Sequence, residues 1–440
     1  MKDIAILSLL WNKHTRILIH YLEQLPDPTS RTIFLLYDID PGVIQTIKRL
    51  GAHVVLIGAS MLPREVHLAL KKKVQNTLCA LAGEFKQPNW AAFCESVGIP
   101  QDNTAAVISQ LVSEKLPAAV AIIKALDAIQ HTYDIEIMMT SEDVMFDTRV
   151  AIMWGRRAGV PSLHFEHGPV VGLSFSVHWD VFADHMTVYG LQAANAFSHI
   201  ERHRISVVGN QAADVYQNLL QHKREIRQQM VKKYQLPLDQ PIVVFATTTP
   251  PKLSTGYDPK IHEKTLIAMF SAKRLLMQTQ PFSLVIKERL SDLDMDTKAR
   301  LCAHLAQQCG LALTDYRFVT SDIEALITAA DIVVASESSV NIEAMHVNTP
   351  TISLTSQFGL FRWSVFHVED GIAEVCDCDP NVLSYYIDQL LNNRHFRHQQ
   401  LTKMQAHVSR YSHTAQTGSA LDNETQVMRK LISEAHRDVK

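Results

Sequence analysis

Hydroxyl and carboxylate side chains crowd residues 336–343, as Ser336, Glu337, Ser338, Ser339 and Glu343. Their spacing suits a phosphate and a sugar. Ser338 and Ser339 can donate hydrogen bonds without adding charge. A helix starting beside them would turn unpaired N–H groups and positive dipole potential toward an anion. Glu343 lies four residues after Ser339, so the two share a helix face. A carboxylate one turn in from a bound diphosphate can accept hydrogen bonds from both ribose hydroxyls. The same spacing also fits a plain serine cap with a solvated glutamate, and spacing alone does not separate the two readings.

The elements that must hold this turn are legible on either side of it. Ile332-Val333-Val334 is a β-branched apolar run that reads as a buried parallel strand stopping at Ala335. Val340 to Val347 reads as a helix, Asn348-Thr349-Pro350 ends it, and Thr351-Ile352-Ser353-Leu354 starts the next strand. From Ala330 to Met345, with Pro350 beyond, the chain resembles the donor segment of GT-B-fold glycosyltransferases. It is also similar to UDP-N-acetylglucosamine 2-epimerases and to bacterial capsule and wall-polymer glycosyl- or glycerophosphotransferases. The resemblance implies that Ser336, Ser338 and Ser339 hold a diphosphate and that Glu343 holds the ribose.

A second polar set stands in the first half. Ile135 to Met139 reads as a strand, and Thr140-Ser141-Glu142-Asp143 follows it, where open α/β sheets bind ligands. A helix over about 145–158 ends at Gly159, Val160 to Phe165 is a short strand, and Glu166-His167-Gly168-Pro169 ends that strand. This order resembles the amino-terminal domain of capsule and wall-polymer transferases and implies that the His-Gly pair faces the acceptor. Inverting sugar transfer needs a base for the acceptor hydroxyl, and an imidazole beside a glycine suits that task. His167 is the expected base, with Glu166, Glu142 and Asp143 as alternatives. The chain has 21 histidines, so a purely structural His167 is the competing reading.

The departing nucleotide diphosphate needs positive potential. Lys287-Glu288-Arg289-Leu290 follows an expected strand over Phe282–Ile286, where related transferases often carry Lys-x-His-Pro; the lysine matches and the His-Pro does not. Lys287 would act as a compact charge and Arg289 as a bidentate donor, or the two form surface ion pairs. Thr247, Thr248 and Thr249 follow the strand Ile242–Ala246, to bond phosphate or acceptor or to cap the next helix.

Composition bounds the rest. The 440 residues carry a net charge of −3, with 47% hydrophobic and 20% charged residues, which suits two or three soluble domains and argues against general nucleic-acid binding. The six cysteines are too sparse for a disulfide framework, which points to a reducing cytoplasm. Ile4–Leu10 is too short for a signal peptide, and no stretch reads as long and apolar enough to span a bilayer. Asp-x-Asp triplets at Asp38, Asp292 and Asp377 are scattered, so neither a metal nor another cofactor is expected.

The expected architecture is α/β, with two Rossmann-like doubly wound domains in the GT-B arrangement. The first spans 1–236, with β-α-β-α-β at its start and a helical insertion at about 60–130. A linker lies near 236–240, a nucleotide-sugar domain spans 240–410, and a helical tail spans 411–440. The expected function is metal-independent transfer from a nucleotide-sugar donor to a glycan or lipid-linked glycan acceptor, in the cytoplasm or at the inner membrane face. Peripheral membrane association and homo-oligomer formation both remain open. The alternatives are a UDP-sugar 2-epimerase, a wall-polymer glycerophosphotransferase and an inactive scaffold.

Overall fold

The computed structural model describes the chain apart from residues 1–2, 11–13, 38, 58–63, 97–99, 167–180, 248–259, 289–294, 337, 356–369, 413–417 and 439–440. Apolar, β-branched runs alternating with amphipathic helices build two parallel sheets. The first comprises β1 (Asp3–Leu9), β2 (Arg31–Leu35), β3 (His53–Leu56), β4 (Tyr133–Thr140), β5 (Ser162–Phe165), β6 (His185–Val188) and β7 (Ile205–Val207). Their order is β3-β2-β1-β4-β5-β6-β7. The second comprises β8 (Ile242–Ala246), β9 (Ser283–Lys287), β10 (Tyr316–Val319), β11 (Ile332–Ser336), β12 (Thr351–Thr355) and β13 (Glu374–Cys376), in the order β10-β9-β8-β11-β12-β13. Both are doubly wound sheets whose order reverses beside the first strand, at β1/β4 and at β8/β11.

Both faces of each sheet are covered, which is why the strands are apolar throughout rather than alternating. On β1, Ile6 packs with Ile33, Ile137 and Leu163 on one side, while Ala5 and Leu7 pack with Phe34 and Met138 on the other. The second sheet repeats the device, with Val243 and Phe245 on one face and Ile242 and Val244 on the other. The covering helices of the first sheet include α1 (Thr15–Glu23), α2 (Pro41–Arg49) and α6 (Phe146–Ala158). Between β3 and β4 lies the helical insertion: α3 (Arg64–Glu84), α4 (Pro88–Ser96) and α5 (Gln101–Thr132).

Two features differ from the sequence expectation. Helices α8 (Gln211–Gln221) and α9 (Lys223–Tyr234) follow the short α7 (Leu191–Ala196), yet Tyr216, Ile226, Met230 and Val231 are buried with β8 and β11 residues. The packing therefore assigns these helices to the second core, and the expected linker at 236–240 is an exposed turn anchored to that core by the buried Leu236. The second difference concerns α5. It contains an 18-residue stretch of mean hydropathy 1.5, long and apolar enough to cross a membrane by length and composition, which corrects the expectation that no such stretch exists.

The second domain adds α10 (Ile261–Leu276), α11 (Met295–Gln308), α12 (Ile323–Ala329), α13 (Ser339–His346), α14 (Pro380–Asn392) and α15 (Arg394–Tyr411). The last helix, α16 (Ala420–Asp438), crosses back, and its Met428 is fully buried in the first core. The chain thus ties the domains together twice. Along the seam Tyr189 from the first domain is buried with Ile342 and Tyr411 from the second. Arg16 on α1 also reaches Glu324 on α12 at 2.9 Å.

Gly190 is what lets the seam close. A Cβ there would lie 2.1 Å from the Tyr411 carbonyl oxygen and 2.9 Å from that of Arg410. Those neighbours are backbone and cannot swing aside. Gly190→Ala should destabilise the folded chain by about 1–3 kcal/mol through overpacking. Urea denaturation monitored by tryptophan fluorescence checks this, and an unchanged midpoint would show that the seam is looser than described.

Candidate functional site

The candidate site lies between the carboxyl ends of the two sheets, where both strand orders reverse. On the second-domain side β11 ends at Ser336, which is buried, and Ser338 caps α13. The Ser338 hydroxyl accepts from the Val340 N–H at 3.3 Å, which leaves its own proton to donate outward. The Ser339 hydroxyl donates to Glu343 Oε1 at 3.1 Å, while the Tyr216 hydroxyl donates to Oε2 at 2.8 Å. Both carboxylate oxygens are therefore held. Tyr216 is buried, and burial together with the adjacent Glu343 carboxylate pushes its hydroxyl well above its ordinary range, so it stays a donor.

Beside this turn, Thr247 follows β8 and Lys287 ends β9. Thr247 is buried and its N–H donates to the Lys287 carbonyl at 3.0 Å. Lys287 Nζ donates to the Glu288 carbonyl at 2.8 Å, and burial holds its ammonium below the usual lysine range. Glu288 itself is buried and paired with Lys298 at 2.8 Å. The Lys287 ammonium therefore folds back on its own loop. Thr248, Thr249 and Arg289, which sequence reading placed in the donor site, lie outside the described residues.

On the first-domain side β4 runs into Ser141, Glu142 and Asp143, all buried. The Glu142 carboxylate accepts from the Val144 N–H at 3.2 Å, and the Thr140 hydroxyl donates to the Glu142 carbonyl at 2.8 Å. Asp143 is more heavily committed. Its Oδ2 accepts from the Phe182 N–H at 2.7 Å and the Ala183 N–H at 3.1 Å, and lies 3.5 Å from His164 Nδ1. At that separation the histidine contact is an ion pair more than a hydrogen bond. Burial opposes the Asp143 charge, but His164 and the two backbone donors outweigh it and bring the carboxyl down to about 2. Burial likewise opposes charge on His164, and the facing carboxylates of Asp143, Glu142 and Glu166 outweigh it and raise the imidazole. Each group thus shifts toward its charged form.

Glu166 follows β5 and is buried; its Oε2 accepts from the Tyr189 N–H at 2.6 Å and its Oε1 lies 3.5 Å from the Tyr411 hydroxyl. His167, the expected base, lies outside the described residues. The two polar sets meet at Tyr189. Burial raises its hydroxyl well above the ordinary range, and the carboxylates of Glu166, Glu424 and Glu343 add to that rise. One phenol thus feels acids from the first sheet, the second domain and the returning α16. The structure brings Glu142, Asp143 and Glu166 together around His164, and turns Glu343 toward the same seam.

Sequence reading missed His164, Tyr189, Tyr216, Tyr411 and Glu424. A signal for His164 was present, because His164 and Glu166 are two residues apart near the end of a strand and share its face. The tyrosines and Glu424 gave none, since they come from helices and loops remote in sequence.

No protein-family model matches the chain, and no curated protein sequence matches it. Solved structures do. The chain is similar to HepE of Anabaena in complex with UDP and glucose, with 14% identity and a TM-score of 0.54 over 98% of this chain and 100% of that one. It is similar to a glycosyltransferase of Rickettsia africae, with 12% identity and a TM-score of 0.56 over 98% and 99%. It is similar to the UDP-GlcNAc 2-epimerase of Neisseria meningitidis bound to UDP-GlcNAc, with 11% identity and a TM-score of 0.58 over 97% and 99%. The fold is therefore the two-domain GT-B arrangement, which glycosyltransferases and epimerases share.

The Asp143–His164 pair makes stability depend on pH in two directions. A lowered Asp143 stabilises the fold above pH 3.8, its unfolded value, and that contribution fades as pH falls toward about 2. A raised His164 stabilises below 6.5, its unfolded value, and that contribution is lost as pH climbs through the folded one. Asp143→Asn should therefore cost about 3 kcal/mol near pH 5 by leaving a buried imidazolium unpaired. Denaturation midpoints across pH 3 to 8 check this, and a cost that does not shrink at the acid end would assign the effect to packing.

Proposed function

We propose that the chain transfers a sugar from a nucleotide-activated donor to a glycan or lipid-linked glycan acceptor, without a metal. The observation that carries this reading is Glu343, one turn inside a serine-capped helix at the second switch point and held by Ser339 and Tyr216. The helix start and the Ser338 hydroxyl would hold the diphosphate, and Glu343 would accept from the ribose hydroxyls. Lys287 and Arg289, with Thr247, Thr248 and Thr249, would surround the leaving group. His167 remains the proposed base, with Glu166 and Glu142 behind it. Asp143 fits that role poorly, because a carboxylate fixed by two backbone donors and the facing His164 is a weak proton acceptor.

The second reading is a 2-epimerase. What favours it is the buried group of Glu142, Asp143, Glu166 and His164, since acids and bases around a sugar ring are what epimerisation needs. Incubation with a UDP-sugar alone separates the two. A transferase gives slow hydrolysis or nothing until a glycan is added; rapid conversion to the C2 epimer without acceptor overturns the transfer reading. Action at the inner membrane face fits a lipid-linked acceptor.

Glu343→Ala should weaken binding of the donor nucleotide by about 1–3 kcal/mol, the range for a lost charged hydrogen bond. Calorimetric titration giving unchanged affinity would remove Glu343 from the site. Turnover should also survive EDTA, because helix dipole and cations supply the charge stabilisation; loss restored by magnesium or manganese would return the Asp-x-Asp triplets to consideration.

A further inference from the structure

The helical insertion is built unlike the rest of the first domain. The end of α5 belongs to the core: Leu126 and Ile129 are buried, Ile122 and Ile123 pack against the same cluster, and Trp154 donates to Asp127 at 2.9 Å. Before Pro117, which falls inside α5, the helix leaves that core. There Val107 is 55% and Leu111 50% exposed, within a helix whose 18-residue apolar stretch has none of its residues buried. The neighbouring α3, packed along α5, presents Lys71, Lys72 and Lys73 to solvent. The rings of Phe85 and Trp90 pair at 4.8 Å where α3 gives way to α4.

We propose that this arm docks on an anionic lipid bilayer, lying on its surface rather than crossing it. For its role, though not for its test, the proposal rests on the reading of the chain as a transferase that meets a lipid-linked acceptor. Exposed apolar side chains on α5 and a lysine triplet on the neighbouring α3 give the arm the two contributions that surface binding needs: apolar area for the acyl boundary and positive charge for acidic headgroups. An aromatic pair at the end of the arm suits the headgroup level. Crossing is excluded by construction. A span needs about 20 apolar residues, and the final turns of α5 would have to abandon Leu126, Ile129 and the Trp154–Asp127 bond. Glu114 and Lys115, both exposed, would also have to enter the hydrocarbon. A second copy of the chain fits less well, because a twofold contact opposes each patch to itself and would bring lysine triplets together.

Vesicle flotation with the full chain tests this. The wild type should float with vesicles of phosphatidylcholine plus phosphatidylglycerol, not with phosphatidylcholine alone, and added salt should release it. Replacing Lys71, Lys72 and Lys73 with glutamine should lower partitioning roughly 100-fold. Val107→Glu with Leu111→Glu should abolish it. These side chains are exposed, so the melting temperature and the thermal shift given by a UDP-sugar should not change. Failure of the wild type to float, or flotation of the variants equal to it, overturns the proposal. So does a concentration-dependent dimer that Leu111→Glu dissociates, which would assign the face to a second copy. Flotation without any nucleotide-sugar thermal shift would leave the docking intact and sink the transfer reading alone.

Discussion

A parallel sheet imposes one constraint from which the rest of this molecule follows. Every strand must be entered from the same side, so every strand delivers its carboxyl end, and the loop after it, to one edge. Here two such sheets are present, each reversing order beside its first strand. The loops that open at the reversals carry Thr140 to Asp143 in one domain and Ser336 to Glu343 in the other. Nothing in those short segments need specify the cleft by itself. The strands bring the polar groups to the edge, and the helices covering both faces leave the edge as the place where buried polar chemistry can open to a ligand.

Closing the edges against each other has an electrostatic cost, and the seam shows how it is met. Carboxylates withdrawn from water need donors. Glu343 takes them from Ser339 and Tyr216, Glu166 from the Tyr189 backbone, and Asp143 from two backbone N–H groups with His164 beside it. Tyrosine recurs because a phenol offers a proton on a rigid apolar ring, so it can satisfy an acid while packing against Ile342. Tyr216 is supplied by α8, the first helix after the chain passes from one domain to the other. The crossover therefore serves both as a connection and as part of the Glu343 site.

The fold was legible because doubly wound domains write themselves in local pattern. The runs Ile33–Leu36, Ile135–Met139 and Ile332–Val334 are apolar on both faces, and each is followed by a helical period and a glycine, proline or polar turn. The serine-rich turn and Glu343 were legible for the same reason, since a cap and a carboxylate four residues apart are local features. The domain boundary was not. Residues 211–234 are charged and helical and read as the end of the first domain, whereas Tyr216, Ile226 and Met230 place one face of these helices in the second core. His164 was hidden differently. Its partner Asp143 lies 21 positions earlier, in the loop after the neighbouring strand, and only the register Thr140↔His164 brings the two together.

The same accounting separates carboxylates that hold the site from those able to act in it. A side chain that must collect a proton has to keep a lone pair directed at the substrate. Asp143 is fixed from three directions, and two of its donors belong to Phe182 and Ala183, on the segment leading into β6. From the other side Arg204 donates to the carbonyls of Val181, Ala183 and Asp184. A carboxylate and a guanidinium thus grip one short backbone segment between them, which is the arrangement of an anchor. The Glu166 and Glu142 carboxylates each accept from one backbone N–H, with the Tyr411 hydroxyl 3.5 Å from Glu166. Within a cluster that looks uniform by composition, geometry gives Asp143 and His164 the task of positioning.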